Sequence, residues 1–136
     1  MFGMMRNPAE SYAKVGVESA VSTADPHRLI MMLFDGALAA LSQARIHMEA
    51  GDIPKKGVSI SKAIDLISNG LRASLDMEAG GQLAERLAAL YDYMGQRLLF
   101  ANLNNNLAAL DEVNELLGGL RDAWSQIAPG SDQVAA

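Results

Sequence analysis

Residues 31–41 read MMLFDGALAAL. Every position but one is apolar or small, as a helix buried in a bundle requires. The exception is the charged Asp35. Gly36 follows it, at a mid-helix cost of about 1 kcal/mol relative to Ala. Upstream, Asp25-Pro26 is a helix start, with Asp as N-cap and Pro at the first helical position. Residues 26–50 then run without another Pro until Gly51 ends the helix.

The same punctuation recurs downstream. Asp52 can cap a second helix with Pro54 in its first turn, running to about Leu75. MEAGG at 77–81 breaks the chain. A third helix spans about Gln82 to Asn104. NNN at 104–106 breaks again, with Asn106 as N-cap, and a fourth helix runs from Leu107 to about Ile127. Four helices of similar length with short connections predict an all-α fold, an antiparallel up-down-up-down four-helix bundle over 25–128. Residues 1–24 hold Pro8, Gly16 and several Ser and Thr. They read as a mobile N-terminal arm carrying Tyr12, Val15 and Val21. Residues 129–136 read as a disordered tail.

At about 100° per residue, Ile30, Leu33, Phe34, Ala37, Leu38, Leu41, Ala44 and Met48 share one face of the first helix. Asp35 falls opposite, near Ser42 and Glu49, yet Met31, Met32 and Ile46 flank it. The second helix turns Ile60, Ile64, Ile67 and Leu71 to the core. It leaves Leu66, Gly70 and Ala73 as an outer strip. In the third, Leu83, Leu87, Leu90, Met94, Leu98 and Ala101 face inward, whereas Tyr93, Leu99, Phe100 and Leu103 do not. The fourth has one seam of Leu110, Val113, Leu117, Leu120 and Trp124. Its acids Asp111, Glu115 and Asp122 lie outside. The first three helices therefore carry surplus apolar surface, which usually marks interaction sites. The arm or a second copy of the chain, as a homodimer, could equally cover it.

Gly36 sits beside the core face, between Leu29, Met32 and Ala40. Its missing side chain leaves room for another segment, whose N–H groups Asp35 could accept. The alternative is a solvated Asp beside a Gly that merely fits a close neighbouring helix.

The chain excludes several chemistries. Of its 136 residues half are hydrophobic but only 5% aromatic, so Ala, Leu, Met and Ile make the core. The net charge of −5 and the absence of a basic patch argue against nucleic acid. There is no cysteine, and thus no disulfide or thiol nucleophile. A di-iron bundle needs Glu-x-x-His pairs, and Ala stands three residues before both His27 and His47. No phosphate-cradling, nucleophile-elbow or zinc-helix motif occurs. Asp92 reads as an outer polar contact without a partner base. The expectation is a non-enzyme without metal or cofactor. No signal-like segment and no run of eighteen apolar residues occur, so a cytoplasmic chain without membrane insertion is expected.

Three stretches together resemble one family: ADPHRLIMMLFDGAL at 24–38, SLDMEAGGQLAERLAALYDYM at 74–94 and ANLNNNLAALDEVNELLGGLRDAW at 101–124. They are similar to the flagellar secretion chaperones of the FliS family. The matching features are Pro26 with Leu33-Phe34-Asp35-Gly36, Ser74-Leu75-Asp76, Gly80-Gly81 and Leu90-Tyr91-Asp92-Tyr93-Met94. Ala101-Asn102, Ala123-Trp124 and the arm's Tyr12 complete them. Phe34 stands where Tyr is more usual, and Asn106 where Asp is common. The resemblance implies a cytosolic export chaperone that binds the C-terminal region of flagellin, blocks premature polymerisation and delivers it to the export gate. It implies a client surface drawn from Tyr12, Val15, Met32, Asp35, Gly36, Leu66, Gly70, Ala73, Tyr93, Leu99, Phe100 and Leu103. A self-associating bundle without a client is the alternative.

Overall fold

A computed structural model of the chain describes residues 25–127. The arm, with Tyr12 and Val15, and the tail lie outside the described residues. Four helices form: α1 (Pro26–Glu49), α2 (Ile53–Asp65), α3 (Met77–Asn104) and α4 (Leu107–Ser125). A π-helical segment, Leu66–Leu71, and a 3-10 turn, Arg72–Ser74, prolong α2.

Each start is made by a short acceptor side chain. Asp25 accepts from the Arg28 N–H at 2.8 Å, Asp52 from Lys55 at 3.1 Å and Asn106 from Ala109 at 2.8 Å. Asp76 accepts from both Glu78 and Ala79. These bonds satisfy N–H groups that a helix cannot pair internally. α3 ends on Asn105 in the left-handed region, a conformation that Asn tolerates. Gly81 interrupts α3 near its start, at φ 53° and ψ −130°. A side chain would be strained there, so the break expected over 77–81 is a kink at Gly81 alone, and the helix starts at Met77 under the Asp76 cap rather than near Gln82.

α1 packs against α2 and α4, and α3 against the same two neighbours. Contacts run in opposing residue order along the seams. His27, Asp35 and Arg45 of α1 meet Trp124, Arg121 and Asp111 of α4 in turn. Lys56, Ser68 and Arg72 meet Asn102, Gly95 and Asp92 of α3. The core is built from the seams expected for α1 and α4, with Leu41, Leu110, Val113 and Leu117 at most 1% exposed.

Two faces differ from expectation. Leu66 and Gly70 are buried rather than outward. The cause is the π-helical segment, whose wider turn needs more residues per revolution. Both pairs, Leu66-Ile67 and Gly70-Leu71, consequently point inward. Leu66 packs over Gly36, where an added Cβ would stand 3.4 Å from Leu66 Cδ1. Reciprocally, a Cβ on Gly70 would come within 3.0 Å of Leu33 Cδ2. Two glycines on facing helices thus each receive a leucine from the other side. In α3 the inward line is Ala84, Ala88, Tyr91, Met94, Leu98 and Ala101. Leu83 is exposed, just past the Gly81 break, and Leu87 and Leu90 only flank the core.

Gly36 therefore accommodates a side chain of α2. Gly36→Ala would put its methyl at ordinary contact distance from Leu66 while restoring helix propensity. It is expected to raise stability by up to about 1 kcal/mol in a urea melt. Gly70→Ala meets Leu33 more tightly and should gain less.

Lys56, half of the densest basic pair in the sequence, is 3% exposed. Its ammonium donates to the Asn102 carbonyl at 2.9 Å and to Asn105 Oδ1 at 2.5 Å. Those acceptors lie at the C-terminal, negative end of α3, where a cation is favoured. Among the described residues no buried side-chain polar atom lacks a partner.

Candidate functional site

The outward face of α3 is the clearest candidate. Met94, Leu98 and Ala101 point to the core. Residues roughly half a helical turn away must point to water, and they are apolar. Leu103 is 82% exposed and Leu99 54%, with Phe100 and Tyr93 also exposed. α2 also exposes Ile53 and Val58.

A polar lattice borders the stripe on the α4 side. Tyr93 Oη donates to Glu112 Oε2 at 2.6 Å. Arg97 Nε donates to Glu112 Oε1 at 2.8 Å. The Arg97 guanidinium lies 4.9 Å from the centre of the Phe100 ring, in cation–π geometry. The Tyr93 hydroxyl, and then Arg97, hold the Glu112 carboxyl below its ordinary range. The same bond pushes the Tyr93 phenol up. Tyr91, on the inner side, is raised by burial instead.

Of the residues expected at the site, Tyr93, Leu99, Phe100 and Leu103 come together on this face. Ala73 is exposed in the 3-10 turn. Leu66 and Gly70 are buried in the core between α1 and the π-helical segment, away from this face. Gly36 is half-buried under Leu66. Asp35 is exposed, as the helical wheel placed it, but its partner is a guanidinium rather than backbone N–H groups: Arg121 Nε donates to Asp35 Oδ1 at 3.0 Å. Met32 lines a shallow depression of about 400 Å³ with Asp25, His27, Arg28, Met31 and Asp35, on a different part of the surface-forming chain. Asp92 does make an outer polar contact, accepting from Arg72 Nε at 2.7 Å.

Sequence reasoning passed over Glu112 and Arg97. The spacing Tyr93, Arg97, Phe100 is i, i+4, i+7 and marks one stripe of α3. Nothing in the sequence says which α4 carboxylate meets it.

Among the described residues no group of His, Asp or Glu could hold a metal ion. α1 is the one described helix long and apolar enough to cross a membrane by length and composition. In the bundle its Leu33, Phe34, Ala37, Leu41 and Ala44 are buried in the core.

Comparison with known proteins agrees with the motifs. The model of the family "Flagellar protein FliS" matches residues 8–131. The chain is 55% identical over 120 residues to the flagellar secretion chaperone FliS of Salmonella typhimurium, covering 88% of this chain and 89% of that protein. It is 50% identical over 117 residues to the Escherichia coli FliS, covering 86% of each. The Bacillus subtilis FliS is 31% identical over 122 residues, 90% of this chain and 86% of its own length. These relatives are named as chaperones, not enzymes, and on the extent of the match this chain belongs to the FliS family.

Proposed function

We propose that this chain is a cytoplasmic flagellar export chaperone whose client is the C-terminal region of flagellin. On this reading it withholds that region from premature polymerisation and hands it to the export gate. The observation that carries the reading is the solvent-facing apolar stripe of α3, in a chain of the FliS family. A folded bundle gains nothing from exposing Leu99, Phe100 and Leu103, because each would contribute roughly 1.5–3 kcal/mol if buried. An apolar segment of a client laid along the stripe buries them, as in helix-in-groove recognition. Tyr12 and Val15, together with Met32 and Ala73, complete the proposed contact surface.

Leu99→Asp and Leu103→Asp test it. Both sites are exposed, so the helical melt should stay cooperative and near the wild-type midpoint. Each should weaken binding of a flagellin C-terminal peptide at least about tenfold, the loss of roughly 1.4 kcal/mol. Titration calorimetry reads the affinity and a sizing column with light scattering the mass. Wild-type affinity in both variants would overturn the reading. So would a dimer of this chain that the same substitutions dissolve and flagellin does not displace.

A further inference from the structure

Glu112 belongs to α4 and is not part of the apolar stripe, yet it holds two residues that border it. Asp35, Asp92 and Asp111 each bind one arginine across a seam. Glu112 accepts from a tyrosine and an arginine at once, one on each carboxylate oxygen. Both donors come from α3, and the arginine in turn lies over the Phe100 ring. Such a bond at the surface adds little to folding, because water competes for both partners. Its stronger consequence is order. Tyr93, Arg97 and Phe100 would otherwise each sample several rotamers beside the stripe.

We propose that Glu112 is a positioning residue for the client surface: a single α4 carboxylate fixes Tyr93 and Arg97, and through Arg97 the Phe100 ring, before a client docks. This rests on reading the α3 stripe as the docking face. A side chain fixed in advance spares the complex the entropy of ordering it on binding. The arrangement also holds the Arg97 charge toward Glu112 of α4 and over the Phe100 ring, so that the client does not meet a mobile cation. Since α4 supplies the carboxylate and α3 the stripe, the client surface depends on the two helices staying in register, although the client need not touch Glu112.

The test measures binding of the flagellin C-terminal peptide to the full chain by calorimetry, beside a thermal melt. Glu112→Ala should bind about tenfold more weakly with an essentially unchanged melt. Glu112→Gln keeps one carbonyl acceptor and should lose less. The decisive readout is coupling. In a Tyr93→Phe, Arg97→Met background, Glu112→Ala should have no further effect on affinity, because nothing is left for the carboxylate to hold. An unchanged or tighter affinity in Glu112→Ala, with Leu103→Asp still abolishing binding, overturns the positioning role and leaves the docking face standing. Additive losses in the triple variant also overturn it. If Leu103→Asp binds normally as well, the docking reading itself has failed.

Discussion

Leu66→Asp is expected to unfold the bundle, not to release a client. Leu66 is 3% exposed and lies over Gly36 at the interface of α1 with the π-helical segment. Truncation to Ala alone should cost about 2–5 kcal/mol, as lost burial plus a cavity that packed helices fill poorly. Asp adds a carboxylate at a position that is 3% exposed. That carboxylate must then be desolvated, or take up a proton, or drag water into the seam. A total stability of about 5–15 kcal/mol leaves little margin for such a change. The expected outcome in circular dichroism is a lost or strongly broadened melt. Leu103→Asp, an identical change on an 82% exposed residue, should melt as wild type does. Equal melts for the two variants would place Leu66 back on the surface and refute the buried face described here.

How Leu66 was misplaced shows what the sequence carries and what it does not. Three of the four helix starts were legible, because a cap is a local bargain between one side chain and N–H groups two or three residues on; the Asp76 cap of α3 was hidden by the Gly80-Gly81 pair that follows it. Asp25, Asp52 and Asn106 were all identified in this way. The α4 seam was legible because an ideal period of 3.6 holds along its whole length, from Leu110 to Trp124. The period fails in α2, where the π-helical turn over Leu66–Leu71 turns four residues inward. No local residue preference announces that turn. Its partner contacts, Leu33 on Gly70 and Leu66 on Gly36, join residues 37 and 30 positions apart in sequence. Leu83, two residues past the Gly81 kink, is half-exposed for a related reason, since the regular helical period does not run through Gly81.

For the candidate site the pattern is the same. The outward apolar residues of α3 were legible as a violation of amphipathic order. The lattice that borders them was not, because Glu112 is one of several acids on α4 and only the packing of α3 against α4 selects it. Asp35 shows both sides at once. Its place on the outer face follows from the wheel, whereas the choice of Arg121 as partner depends on how α1 and α4 align across 86 residues of chain.

That alignment is also set at the end of the same seam, and there a second large effect is expected. Trp124 is the only tryptophan of the chain, 8% exposed, and stacked on His27 with ring centres 5.1 Å apart and planes 13° apart. Trp124 Nε1 donates to the His27 carbonyl at 3.0 Å, and His27 Nε2 donates to the Trp124 carbonyl at 2.8 Å. Because a carbonyl only accepts, the imidazole must carry its proton on Nε2. The first turn of α1 and the last turn of α4 are thus joined by a reciprocal pair of bonds and a stacked contact. Trp124→Ala removes the indole, the stack and one of the two bonds, and should cost about 3–5 kcal/mol. Trp124→Phe keeps a ring for stacking and loses the N–H donor. It should cost nearer 1 kcal/mol, since the His27 carbonyl lies in the first turn of α1 and can be reached there by backbone N–H groups or water. Urea melts followed by helicity measure both, as the variants have no indole fluorescence. A loss under about 1 kcal/mol for Trp124→Ala would mean that this end of the bundle opens on its own, and that the seam is held by the buried Leu41, Leu110, Val113 and Leu117 further along. The exposed pairs Asp35–Arg121 and Arg45–Asp111 add little to that alignment, so a large loss for Trp124→Ala would assign the closing of this end to the indole.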